Sequence, residues 1–157
     1  MSDIFISHIH EEEVVANALL GFMREALGRT TVFLSSDSWQ VYAGEIWLER
    51  IREELASSKV VILMLSPESV KRPWVNFEAG AAWLTGKVII PVCYGDLDKS
   101  SLPKPYSNIQ ALDLADEGYY LVRSIYHHLS PDTGVPPPGI GDFSAVRAAI
   151  DSIKASK

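Results

Sequence analysis

Apolar residues arrive along this chain in two rhythms. Short, nearly unbroken runs occupy residues 3–7, 31–34, 59–65 and 88–92, and between them lie stretches in which apolar positions return every three or four residues. Unbroken runs predict strands covered on both faces, as in a parallel sheet, while the longer spacing predicts amphipathic helices. The run 59–65 is the strongest and is the expected central strand; a weaker fifth strand is expected at 109–114. Pro91 inside the fourth run predicts a bulge or a strand end, because proline cannot donate to a ladder.

The first helix opens with Glu11, Glu12 and Glu13, whose charge complements the helix dipole, and closes at Gly28. Its expected apolar face is Val14, Val15, Ala18, Leu19, Phe22, Met23 and Leu27. The second helix covers 45–57, with Ile46, Trp47, Ile51 and Leu55 inward, and two more are expected at 117–129 and 143–155. The third, at 73–85, organises the others. Pro73 suits its first position and Gly86 the position just past its end. Trp74, Phe77, Ala81 and Leu84 are the expected buried stripe, and Glu78 lies one turn after Trp74. Asn76, Ala79 and Gly80 leave little bulk around that carboxylate, as a pocket wall would need. The plainer reading is that Glu78 solvates the rim of a core helix.

Strands alternating with helices imply a parallel sheet with helices on both faces, because parallel neighbours need crossover connections. The expected architecture is a flavodoxin-like three-layer α/β sandwich with five parallel strands in the order 2-1-3-4-5. Its switch point lies between strands one and three, at their carboxyl ends. Ser7, His8, Ser66 and Pro67 are expected to meet there. The long polar loop 35–44, with Asp37 and Trp39, and the start of the Glu78 helix would share the same rim. Residues 1–130 read as one domain. Residues 131–141 form a Pro/Gly linker, and 142–157 a helix that docks back on the sheet or begins a missing downstream region.

Composition narrows the chemistry. A chain of 157 residues that is 47% hydrophobic can bury a core without staples, and its single cysteine, Cys93, leaves no disulfide framework. A net charge of −6 argues against a nucleic-acid partner. Neither a leader nor a membrane-length apolar stretch is present, so no membrane partner and a cytoplasmic location are expected. The chain carries no phosphate-binding Gly-rich loop, no GxGxxG after the first strand, and no paired acids of a phospho-acceptor receiver. Neither His8 with His10 nor His127 with His128 makes a credible metal site, so no metal and no cofactor are expected. Ser7 and His8 form no triad, since neighbours on a strand point to opposite faces.

What remains is one glutamate, a polar loop and small hydroxyls. Glycosidases usually need two carboxylates because the leaving group must be protonated. Nicotinamide, however, leaves NAD as a neutral molecule from a cation, and one carboxylate can then stabilise the oxocarbenium-like ribose.

Five segments in order carry a resemblance: Asp3-Ile4-Phe5-Ile6-Ser7-His8; Ala43-Gly44-Glu45-Ile46-Trp47; Leu63-Met64-Leu65-Ser66-Pro67-Glu68-Ser69; Trp74-Val75-Asn76-Phe77-Glu78-Ala79-Gly80; and Gly86-Lys87-Val88-Ile89-Ile90-Pro91-Val92. Together they resemble a bacterial Toll/interleukin-1 receptor (TIR) domain of the NAD-cleaving type. The resemblance implies Glu78 as the catalytic residue, with Trp74 beside it. It also implies Ser7 and His8 on the pocket floor, and Asp37 and Trp39 as ligand contacts in the loop that family calls BB. NAD would be substrate rather than cofactor, cleaved to nicotinamide and ADP-ribose or a cyclic isomer. Homotypic assembly, a possible sensor partner and a role in antiphage defence are implied as well. Two alternatives remain: a non-enzymatic TIR interaction module, and an enzyme like the nucleoside deoxyribosyltransferases, whose glutamate-bearing helix is similar.

Overall fold

Five parallel strands lie in the order β2-β1-β3-β4-β5 in the computed structural model, which describes residues 2–28, 30–36, 47–129 and 142–155. They are β1 (Ile4–His8), β2 (Val32–Ser36), β3 (Val60–Leu65), β4 (Val88–Cys93) and β5 (Leu112–Asp113). The helices are α1 (Glu13–Leu27), α2 (Trp47–Ser57), α3 (Pro73–Leu84), α4 (Gly118–Leu129) and α5 (Ser144–Ala155). Strand alternation sorts the sheet's side chains into two cores. Ile4, Ile6, Ile62 and Met64 pack with α1, α4 and α5, whereas Phe5, Phe33, Val61, Leu63 and Leu65 pack with α2 and α3. All six residues of β3 are buried, as its central place requires.

Four expectations need correction. Pro91 neither bulges nor ends β4, and its register with Leu63 is unbroken. The Val88 and Tyr94 amides donate to the Lys59 and Leu65 carbonyls, so even-numbered amides of β4 face β3 and odd ones face β5. The missing Pro91 donor therefore falls on the β5 side, where pairing begins only at Val92 with Leu112. That geometry also shortens the fifth strand from the expected 109–114 to two residues. On α1, a 3-10 turn at His10–Glu12 precedes the helix, and Val14 is left 46% exposed while Ala16 and Ala26 are buried.

The fourth correction concerns α3. Its inward residues are Val75, Glu78, Ala79 and Ala82, while Phe77 and Leu84 are 56% and 78% exposed. The anticipated stripe of Trp74, Phe77, Ala81 and Leu84 is thus turned away by roughly a third of a revolution at 100° per residue. Glu78 stands in the middle of the buried face, not on its rim. Large side chains misled the pattern because a helix laid close on a sheet favours small residues at the contact.

The last helix docks. Val146, Ala149, Ile150 and Ile153 of α5 enter the core shared with α1 and α4, and the Phe143 ring meets Phe22 edge-on at 4.7 Å. Gly118, at the start of α4, makes room for that ring: a Cβ there would stand 2.9 Å from it. Gly118→Ala is therefore expected to destabilise the fold by about 1–3 kcal/mol through overpacking, read as a lower midpoint in urea. Phe143→Leu in the same chain should recover part of the loss.

Candidate functional site

Local sequence explains how α3 is seated. Pro73 occupies its first turn, with Arg72 extended at the N-cap. The Asn76 amide donates to the Val70 and Arg72 carbonyls, at 3.2 and 3.1 Å, and its oxygen accepts from the Tyr106 hydroxyl. Asn76 therefore anchors the helix rather than bordering the carboxylate. At the far end Gly86 adopts a positive φ of 72°, which glycine permits, and the chain turns into β4.

The inward turn of α3 brings Glu78 to the carboxyl ends of β1 and β2. Its side chain is 1% exposed. Ser7 Oγ donates to one carboxylate oxygen at 2.7 Å and Ser35 Oγ to the other at 2.5 Å. The two serines are registered partners on adjacent strands, which sets their hydroxyls side by side under the helix. A carboxylate offers about four acceptor positions, so a ligand's hydroxyls can take up the same role as these serines. Charge held in so dry a place acts on a nearby cation far more strongly than it would in water.

The remaining residues named from sequence are dispersed. His8 is buried, but as the strand neighbour of Ser7 it belongs to the opposite face of the sheet, with Ile4 and Ile6. Trp74 is half-buried beside α3's core residues and stacks on Phe77 at 5.7 Å between ring centroids. Asp37 and Trp39 lie outside the described residues. Ser66 does not join Ser7, and the rim anticipated between strands one and three is divided between the two faces. Among the described residues no group of three or more His, Cys, Asp or Glu is placed to hold a metal ion.

Ser66 belongs instead to a second buried carboxylate, which sequence reading placed among the dipole-complementing acids of the first helix. Glu12 is 3% exposed, and its Oε1 accepts from Ser66 Oγ at 2.6 Å and from the Tyr94 hydroxyl at 2.9 Å. The Ser66 and Ser69 hydroxyls accept from each other's amides, and Ser69 Oγ donates to the Met64 carbonyl, which stiffens the turn leading to α3. A signal existed in the sequence: Ser66 and Tyr94 follow two neighbouring apolar strands and share their α1 face, so both hydroxyls require a partner from α1's side.

Burial first, and then the Glu12 charge, push the Tyr94 phenol well above its usual value; burial likewise raises the Cys93 thiol to about 12. The unfolded chain releases these protons near pH 10 and 9, respectively, and the native chain later. Between those values the unfolded state binds fewer protons, so stability falls as pH rises. Tyr94 alone should add a slope of about 1.4 kcal/mol per pH unit above pH ~10. Chemical denaturation from pH 8 to 11 should show this decline, and Tyr94→Phe should make it shallower above pH ~10, leaving the share of Cys93.

Fold and site together define a flavodoxin-like parallel domain with a buried glutamate, on the helix after its central strand, held under the sheet's carboxyl edge. The model of the TIR domain matches residues 4–124, and the chain belongs to that family. The fold is similar to the TIR domain of the Toll-related receptor TRR-2 from Hydra magnipapillata, with 20% identity and a TM-score of 0.60, over 84% of this chain and 98% of that one. It is also similar to a metazoan TIR-STING receptor from C. gigas in complex with 2′,3′-cGAMP. There the identity is 22% and the TM-score 0.60, over 80% of this chain and 39% of the receptor. No curated protein matches the chain. Identities this low show the shared fold alone. No helix among the described residues is long and apolar enough to cross a membrane.

Proposed function

We infer that this chain is an NAD-cleaving TIR effector of the bacterial type, switched on by self-association in antiphage defence. The observation that carries the reading is the doubly serine-bonded carboxylate of Glu78, buried at the sheet's carboxyl edge. In the reaction the bond between C1′ of ribose and the pyridinium nitrogen breaks. Its electron pair neutralises the ring, so nicotinamide leaves without an acid, and positive charge develops at C1′. Glu78 stabilises that charge and accepts hydrogen bonds from ribose hydroxyls in exchange for those of Ser7 and Ser35. Water then adds at C1′ and loses a proton, giving ADP-ribose; capture by an adenine nitrogen instead gives a cyclic isomer. The substrate-facing roles of Trp74, Asp37 and Trp39 are part of the same proposal.

A second reading is favoured by one observation. With both carboxylate oxygens engaged within the chain and Phe77, Trp83 and Leu84 exposed on α3, Glu78 would be a structural tie and α3 a docking surface in a non-enzymatic module. Purified protein at high concentration is incubated with NAD and, separately, with a deoxynucleoside, and products are resolved by chromatography. Release of nicotinamide that depends on Glu78 supports the effector. An unchanged NAD pool under conditions where the protein demonstrably self-associates supports the module, and base exchange on the deoxynucleoside would displace both.

A further inference from the structure

The outer flank of α3 holds a feature that Glu78 chemistry does not use. A cleft of about 780 Å³ lies between α3 and the segment 103–109 that leads into β5. Its size falls within the range of small-molecule sites. Leu63 and Ala79, fully and nearly fully buried, contribute to its floor, and Tyr106, bonded through its hydroxyl to Asn76, pins the far wall to the helix. The cavity is thus held open by both covering elements.

Two residues on its lip are not explained by packing inside the fold. Gly80 sits in the interior of α3, where glycine costs about 1 kcal/mol relative to alanine. Neither a positive φ nor a crowding neighbour calls for it: a Cβ there would meet nothing within 4 Å. That Cβ would instead stand in the cleft. One turn on, Trp83 also lines the cleft and leaves 70% of its surface in water. An open lumen beside a flat, uncovered indole fits an aromatic guest. Polarity is lopsided too, with Lys104 and Asn108 on the opposite wall and no acid among the described residues that line the cleft. Lys104 makes no ion pair among the described residues.

We propose that this cleft binds a small aromatic organic anion, its ring against Trp83 and over Gly80, and its carboxylate or equivalent group at Lys104. The site is separate from Glu78, which faces the sheet from the same helix, and its test does not depend on NAD cleavage.

The probe is 2-naphthoate, titrated into the full chain and followed by amide chemical shifts, with the uncharged 2-naphthalenemethanol as comparison. Saturable shifts confined to residues 76–83 and 103–109 are expected. Gly80→Leu projects a side chain into the lumen and should abolish them, while its thermal midpoint, equal to or above that of the parent, shows that the fold is kept. Lys104→Ala should weaken naphthoate about tenfold, the loss of one charge-assisted contact, and leave the alcohol unchanged. Absence of saturation at millimolar probe, shifts centred elsewhere, or undiminished binding by Gly80→Leu would overturn the site. Equal affinity for the alcohol would overturn the anion. Shifts at the same residues on simple dilution, without probe, would assign the cleft to a second copy and also overturn the proposal.

Discussion

Glu78→Gln is expected to lower NAD cleavage by at least about 10²-fold while shifting the thermal midpoint by no more than a few degrees. The size follows from removing a preorganised charge aimed at a developing cation, an effect commonly worth two to three powers of ten. The small stability change follows from shape. Glutamine still offers an oxygen to one of Ser7 and Ser35, and its amide can donate to the other once that hydroxyl rotates, so both buried serines stay partnered. Glu78→Ala separates the two roles. It strands two buried hydroxyls at roughly 1–3 kcal/mol each, so activity and midpoint should fall together. The readouts are nicotinamide release by chromatography and thermal unfolding by circular dichroism. A glutamine variant that keeps wild-type turnover would leave the carboxylate only a structural part.

A loss of stability as large as that of Glu78→Ala is expected at Glu12, a residue that faces no proposed substrate. Glu12→Ala removes the shared acceptor of Ser66 and Tyr94, both fully or almost fully buried, and should cost about 2–5 kcal/mol. In a chain of this length that corresponds to a fall in midpoint of roughly 5–15 °C. Glu12→Gln keeps an acceptor and relieves the desolvated charge, so it should remain close to the parent. Combining Glu12→Ala with Tyr94→Phe should cost less than the sum of the two changes, because the second removes a donor that the first had stranded. Strict additivity in that cycle would mean that the hydrogen bond carries no stability. Since Ser66 and Ser69 also set the turn into α3, Glu12→Ala should loosen the seat of Glu78, seen as faster amide exchange through residues 66–76.

Much of the architecture was legible because strand and helix periods are local properties. The run through Val60–Leu65 could be placed at the centre from its apolarity alone, and Pro73 and Gly86 marked the ends of α3 through backbone chemistry that needs no neighbours. Crossover handedness narrowed the strand order to a few, and the flavodoxin-like one among them is the order found. The phase of α3 was not legible: Trp74, Phe77 and Leu84 outweigh Val75, Ala79 and Ala82 in any hydrophobic count, yet close approach to the sheet selects the smaller set. Pro91 was read as an interruption because its sequence neighbours do not reveal which side of β4 its missing donor faces.

Alone, the order of residues determined the alternation of elements, the parallel sheet and the choice of Glu78 as the carboxylate to watch, because each depends on spacing along one segment. Only the folded chain decided that Ser7 and Ser35 grip that carboxylate, that His8 turns to the other face, and that Glu12 is a second buried acid bound to Ser66 and Tyr94. Hydrogen bonds spanning 43 to 82 residues are matters of register and packing between segments, and no local pattern encodes them.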